Sequence, residues 1–205
     1  MKHPLIDILP RLLHWLLRFR KRCGYGIHSP FAFGFVTEVI YEKGEYYAYS
    51  SLECPAPDCA LRLKDLRLLF RMMNYQRPAA CLCVGCTPEC QDGGSPKDKL
   101  VLQYLQAGSL HSRILADEKE KECDMPFDMV FGMHRWMSEV ENLLPHLSMG
   151  GMVVVHDICS TKERREAWTR LKAAEQSTVS FDLRDFGIVF YRPELQRQAY
   201  VVNYF

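Results

Sequence analysis

No stretch of the 205 residues is apolar over the roughly 20 positions that a membrane-crossing helix needs. Charge of one sign is equally scarce. Lys and Arg number 26, Asp and Glu 25, and the formal net charge is +1. Such a balance creates no global field for nucleic acid or an anionic bilayer. Basic residues do not interleave with aromatics in a nucleic-acid motif. The opening Met-Lys-His-Pro is not followed by an apolar segment ending in small residues, so no secretory leader is expected. A Walker-type phosphate loop, a Gly-x-Ser-x-Gly elbow, internal repeats and low-complexity tracts are all lacking.

What the chain does have is core material: 48% hydrophobic and 12% aromatic residues. Its length suits one domain, residues 61–205, preceded by a helical and aromatic extension over 1–60. Nine cysteines are many, and their number is odd. With no leader, they predict a reduced, cytoplasmic protein.

In the extension, Leu9, Leu12, Leu13, Leu16 and Leu17 recur at helical spacing behind Pro10. Arg18, Arg20, Lys21 and Arg22 follow, and Gly24 suits the cap. Such a helix can lie on a membrane surface, pack on its own domain, or join a second copy as a homodimer. The basic residues crowd one end rather than one face, which favours packing. Residues 46–58 read as loop.

Beyond this, apolar runs alternate with helical patterns. Helices are expected over 61–75, 97–106, 139–147 and 162–174, the third stopped by Gly150 and Gly151. Buried strands are expected over 79–85, 112–116, 127–131 and 152–155. Residues 177–182, 187–191 and 199–204 are β-rich. The last two are expected to pair antiparallel around Pro193, with the tail as an interior strand. This alternation implies a parallel sheet covered on both faces, finished by a hairpin.

Several of these pieces resemble a known family. Phe127-Asp128-Met129-Val130-Phe131, and Leu144 onward through Gly150-Gly151-Met152-Val153-Val154-Val155-His156-Asp157, look like the fourth and fifth strands of class I S-adenosylmethionine-dependent methyltransferases. Gly24 to Phe33 (GYGIHSPFAF) and Phe186 to Arg192 (FGIVFYR) resemble a bacterial O-methyltransferase-like branch with an N-terminal helical extension. The resemblance implies an α/β, Rossmann-like sheet, mostly parallel with a C-terminal antiparallel hairpin, here shortened in its first half. It also implies S-adenosylmethionine at the carboxyl ends of the strands and a small-molecule acceptor.

On that resemblance Gly85 matches the first motif glycine, and Thr87 lies in the same turn. Cys83 stands at the usual acidic position and Glu89 at the last glycine position. Residues 85–127 are short for the two strands and two helices of the family. If 112–116 is the second strand, Asp117 or Glu118 falls where the ribose hydroxyls are held. If it is the third, that carboxylate is missing. His134 keeps the place of a family histidine, and Asp157 matches the second of two paired aspartates. Asp157 and His134 are therefore the candidates for base or orienter. A bare helix cap is the alternative for Asp157, and an idle surface histidine for His134.

Three readings follow: methyl transfer to a small hydroxyl acceptor, a methyltransferase-fold protein that binds or assembles without catalysis, and cysteine chemistry. Methyl transfer needs mainly an aligned nucleophile, so altered motifs do not exclude it. For the third, Cys81, Cys83, Cys86 and Cys90, with Cys54 and Cys59, give one Cys-x-x-Cys and no well-spaced second pair. No metal site is assigned.

Overall fold

A computed structural model describes residues 19, 24–52, 61–86, 96–116, 126–134 and 136–204. The N-terminal helix expected over 9–22 lies outside these residues, apart from Phe19. So do Thr87, Asp117 and Glu118.

Residues 30–40 are helical where sequence suggested only an aromatic link. Ser29 is extended (ψ 121°), as its neighbour Pro30 requires. Its hydroxyl caps α1 (Pro30–Phe35) by accepting the Ala32 N–H at 3.3 Å. A π-helical turn, Val36–Ile40, continues it. Helix α2 (Leu63–Gln76) buries Leu66, Leu69, Phe70 and Met73 along one side. Arg77 then turns left-handed (φ 47°), its N–H bonds Met73 O at 2.8 Å, and Pro78 ends the pattern.

The α/β body follows as β1 (Ala80–Val84), α3 (Pro96–Gly108), β2 (Arg113–Leu115), β3 (Phe127–Gly132), α4 (Trp136–Leu143), β4 (Leu147–His156), α5 (Lys162–Ala173), β5 (Val179–Asp182), β6 (Phe186–Tyr191) and β7 (Gln198–Val201). Seven strands form one sheet in the order β2-β1-β3-β4-β6-β5-β7. Strands β1 to β4 are parallel, β6 is antiparallel to both β4 and β5, and β7 is parallel to β5. This is the expected mostly parallel sheet with an antiparallel C-terminal hairpin.

Side chains alternate between two cores. Cys81, Cys83, Met129, Phe131, Met152 and Val154 face α2, α3 and the 32–49 segment. Leu82, Val84, Val130, Val153 and Val155 face α4 and α5, around Trp136 and Trp168. A bulge between Phe127 and Met129 lets both enter cores on opposite sides. Each large buried side chain contributes roughly 1.5–3 kcal/mol by leaving water.

Two expectations need correction. Gly150 and Gly151 do not stop a helix: α4 gives way to a short 3-10 turn at Leu144–His146 around Pro145, and both glycines lie within β4. Strand β6 does not pair with β7. It fits between β4 and β5, so β7 reaches β5 from the far side and runs parallel to it. The tail strand is thus at the sheet edge, partly exposed, rather than interior.

Candidate functional site

The chain leaves β1 for β2 on one side and re-enters the sheet at β3 on the other. The topological switch point therefore lies between β1 and β3. In open α/β sheets, ligands bind in the crevice beyond the carboxyl ends of the strands at such a point. Strand β2 lies directly beside β1, with Ala80 opposite Arg113. That is the second-strand alternative for residues 112–116.

Gly85 follows β1 with φ +75°, a turn that suits glycine. The loop after β3 is stitched to it by the Met133 N–H, which donates to Val84 O at 2.9 Å. Gly132 is needed for packing: a Cβ there would lie 2.4 Å from Trp136 Cβ. These two glycines bring the ends of β1 and β3 together at the crevice floor.

Cysteine behaves differently from the reduced state expected of it. Cys83 and Cys86 are joined by a disulfide, with Cα atoms 5.8 Å apart around the Gly85 turn. Both are buried. Cys83 thus presents neither charge nor free thiol at the position where the family has an acid. Cys81 is a buried thiol pushed up to about 12 by burial. Among the described residues no group of three or more His, Cys, Asp or Glu is placed to hold a metal ion. Cys54, Cys59 and Cys90 lie outside them.

His134 stands just past β3, its side chain half exposed. Its Nε2 lies 3.6 Å from Oδ1 of Asp98, a carboxylate only 4% exposed in the first turn of α3. At 3.6 Å the contact is longer than a hydrogen bond, and it sets a buried carboxylate beside a half-exposed imidazole.

Asp157 follows β4 in a left-handed conformation (φ 62°), its N–H bound to Asp185 O. It does not cap α5. Thr161 does, its hydroxyl accepting the Arg164 N–H at 3.2 Å. The Asp157 carboxylate instead accepts from Arg164 Nη1 at 3.1 Å. The same guanidinium donates to His156 O and Asp157 O at 3.4 Å and, through Nη2, to His134 O at 3.0 Å. Arg164 therefore ties the loop after β3 to the loop after β4. His156, between Trp136 and Phe186, has its pKa lowered by burial, opposed by the nearby carboxylates of Asp157, Asp65 and Asp185.

Of the residues singled out in sequence, Gly85, His134 and Asp157 thus share the carboxyl edge of the sheet. Asp98 and Arg164 were missed. Asp98 carried one weak signal, an acid two residues after Pro96 at a helix start. Arg164 lies in a run of charges that resembles a solvated face.

No protein-family model matches the sequence, and no curated protein matches it. Solved structures do. A Staphylococcus aureus protein provisionally named a caffeoyl-CoA O-methyltransferase matches at 12% identity and TM-score 0.49, covering 89% of this chain and 99% of that one. An O-methyltransferase from Bacillus cereus, in complex with SAH, matches at 13% identity and TM-score 0.44, over 70% of this chain and 86% of that one. TomG of Streptomyces achromogenes, an O-methyltransferase in complex with SAM, matches at 15% identity and TM-score 0.44, over 71% and 94%. Likeness at this level carries no assignment, and the fold is read from the strand order itself. The central switch point, the parallel strands and the antiparallel β6 make this chain an open, doubly wound, Rossmann-like α/β sheet, mostly parallel with an antiparallel C-terminal hairpin.

Proposed function

We propose that this protein binds S-adenosylmethionine at the β1/β3 switch point and transfers its methyl group to the hydroxyl of a small acceptor. The observation that carries this reading is the His134–Asp98 pair at that switch point. Crevices of this kind gather the ligand in open sheets, and a positioned base is the one group methyl transfer to a hydroxyl calls for.

The described residues fit the cofactor through backbone rather than charge. Gly85, with φ +75°, supplies the turn that lets main chain approach the methionine and ribose parts. Thr87 extends the same turn in sequence, and Asp117 or Glu118, following β2, would hold the ribose hydroxyls. When bound, the sulfonium supplies an electrophilic methyl group. His134 takes the acceptor's proton, and Asp98 orients it. Asp157, held by Arg164, shapes the wall of the crevice rather than serving as the base. A cytoplasmic location, a division at residue 60 and a homodimer through the N-terminal helix belong to the same reading.

A second reading has its own observation in favour. Cys83 is locked to Cys86 where a charged side chain is expected, and Arg164 occupies Asp157. Both fit a protein that kept the scaffold for binding or assembly and gave up catalysis.

Incubation with methyl-labelled S-adenosylmethionine and phenolic acceptors such as catechol separates the two. The active reading predicts labelled product, reduced by roughly a hundredfold or more in His134→Gln, the range a general base supplies. Cofactor affinity should be unchanged in that variant. No product from any phenol, together with no cofactor binding, leaves the second reading standing.

A further inference from the structure

A cavity of about 320 Å³ opens between the segment after the π-helical turn, α2 from Lys64 to Arg71 and the tail beyond β7. It is separate from the β1/β3 crevice and was singled out by no sequence motif. Its walls carry Tyr41, Tyr49 and Tyr204 together with Lys64, Arg67 and Arg71.

Arg71 is the innermost cation of this cavity's wall. It is only 8% exposed, and among the described residues no carboxylate pairs with it. Its Nε donates to Val39 O at 2.7 Å and its Nη2 to Ile40 O at 3.3 Å. The Tyr204 hydroxyl donates to Lys64 O at 2.8 Å and that of Tyr49 to Arg67 O at 3.5 Å. Neutral acceptors solvate the cation without neutralising it, and a buried charge without a counter-ion is costly.

The rim adds to the same sign. Arg67 lies over the Tyr49 ring at 4.5 Å and Lys64 over the Tyr204 ring at 4.2 Å. Arg67 pairs with Glu45, a side chain 72% exposed, while its own Nε–H is buried and donates to nothing. Glu42, turned back onto the Gly44 N–H, is the single acid among the described residues of the lining, and Lys43 offsets it. Charge, ring surface and volume then describe one kind of occupant.

We propose that this cavity binds a small aromatic anion, a carboxylate or phosphate ester, with its charge toward Arg71, Arg67 and Lys64 and its ring among the tyrosines. Arginine suits such planar, forked recognition of oxyanions. The site stands apart from the cofactor reading, since none of its residues touches the β1/β3 crevice.

Calorimetry of the full chain with phenyl phosphate, benzoate, inorganic phosphate and neutral benzyl alcohol tests it. The expected result is submillimolar binding of at least one aromatic anion, with benzyl alcohol at least about tenfold weaker, a step of roughly 1.4 kcal/mol. Inorganic phosphate binding as tightly as phenyl phosphate would assign the site to free phosphate and overturn the aromatic part. The double variant Lys64→Gln with Arg67→Gln, both at the rim, should weaken the anion by about tenfold while its melting curve stays two-state. Arg71→Met should abolish binding, and if it fails to fold, the rim variant decides alone. No anion binding, or binding indifferent to charge and to the rim variant, overturns the proposal. S-adenosylhomocysteine affinity should be the same in all these proteins, so either reading can fail without the other.

Discussion

The Nε2 of His134 lies 3.6 Å from Oδ1 of Asp98, and the two residues come from the loop after β3 and the helix after β1. This contact crosses the switch point of the sheet. It joins a half-exposed ring to a carboxylate that is only 4% exposed.

Asp98→Asn should therefore act through His134. The kcat for methyl transfer to catechol is expected to fall by about tenfold or more, while KM for the acceptor changes little. A loss shared between kcat and KM that tracks a lowered melting temperature would mean that Asp98 only stabilises α3.

Arg164 presents the sharpest contrast in stability. Its side chain is 16% exposed and serves the loops after both β3 and β4. Arg164→Leu should cost about 1–2 kcal/mol, discounted for the 43% exposure of Asp157. Arg170, paired with Glu141 at 2.9 Å but 58% exposed, is its control. Arg170→Leu should stay within about 0.5 kcal/mol of the parent. Urea midpoints compare them, and equal losses would contradict the assignment of Arg164 as the tie.

Gly132→Ala tests the floor of the crevice. The added methyl would meet Trp136 Cβ at 2.4 Å, Trp136 Cγ at 3.1 Å and Val140 Cγ2 at 3.3 Å. Overpacking of this kind costs about 1–3 kcal/mol. Trp136 also donates to His156 O at 2.8 Å, so its fluorescence should shift with the loss of stability.

His156 gives the fold a pH dependence of defined sign. Burial lowers its pKa below the ordinary value of about 6.5. The unfolded chain then binds the proton more readily than the folded one. This contribution is fully present above about pH 6.5 and is lost as pH falls toward the lower folded value. Urea midpoints should decline from pH 8 to pH 5.5 more steeply in the parent than in His156→Gln. Parallel declines would count against a folded-state pKa lowered at His156.

Much of this architecture is legible in the chain because buried parallel strands are written as unbroken apolar runs. Cys81 to Val84, Val130-Phe131 and Met152 to Val155 are of that kind. The beginning of β4 is not: Ser148, Met149, Gly150 and Gly151 are polar, exposed or permissive, and they fall where the register shifts between the Phe127–Leu147 and Met129–Met152 pairs, with Gly151 opposite Tyr191. The tail was misplaced because adjacent strands usually pair, whereas β5 intervenes between β6 and β7. At the site, glycine and the residues after strands carry a local signal, so Gly85, His134 and Asp157 stand out. Asp98 and Arg164 act through partners 36 and 7 to 30 positions away in the chain, which no local pattern encodes.

Calorimetric titration of the full-length protein with S-adenosylhomocysteine bears most directly on the proposed site. Saturable binding with a micromolar dissociation constant, about −8 kcal/mol, and one ligand per chain is expected. No heat up to about millimolar ligand, equivalent to affinity weaker than roughly −4 kcal/mol, would contradict it and leave the β1/β3 crevice without its cofactor.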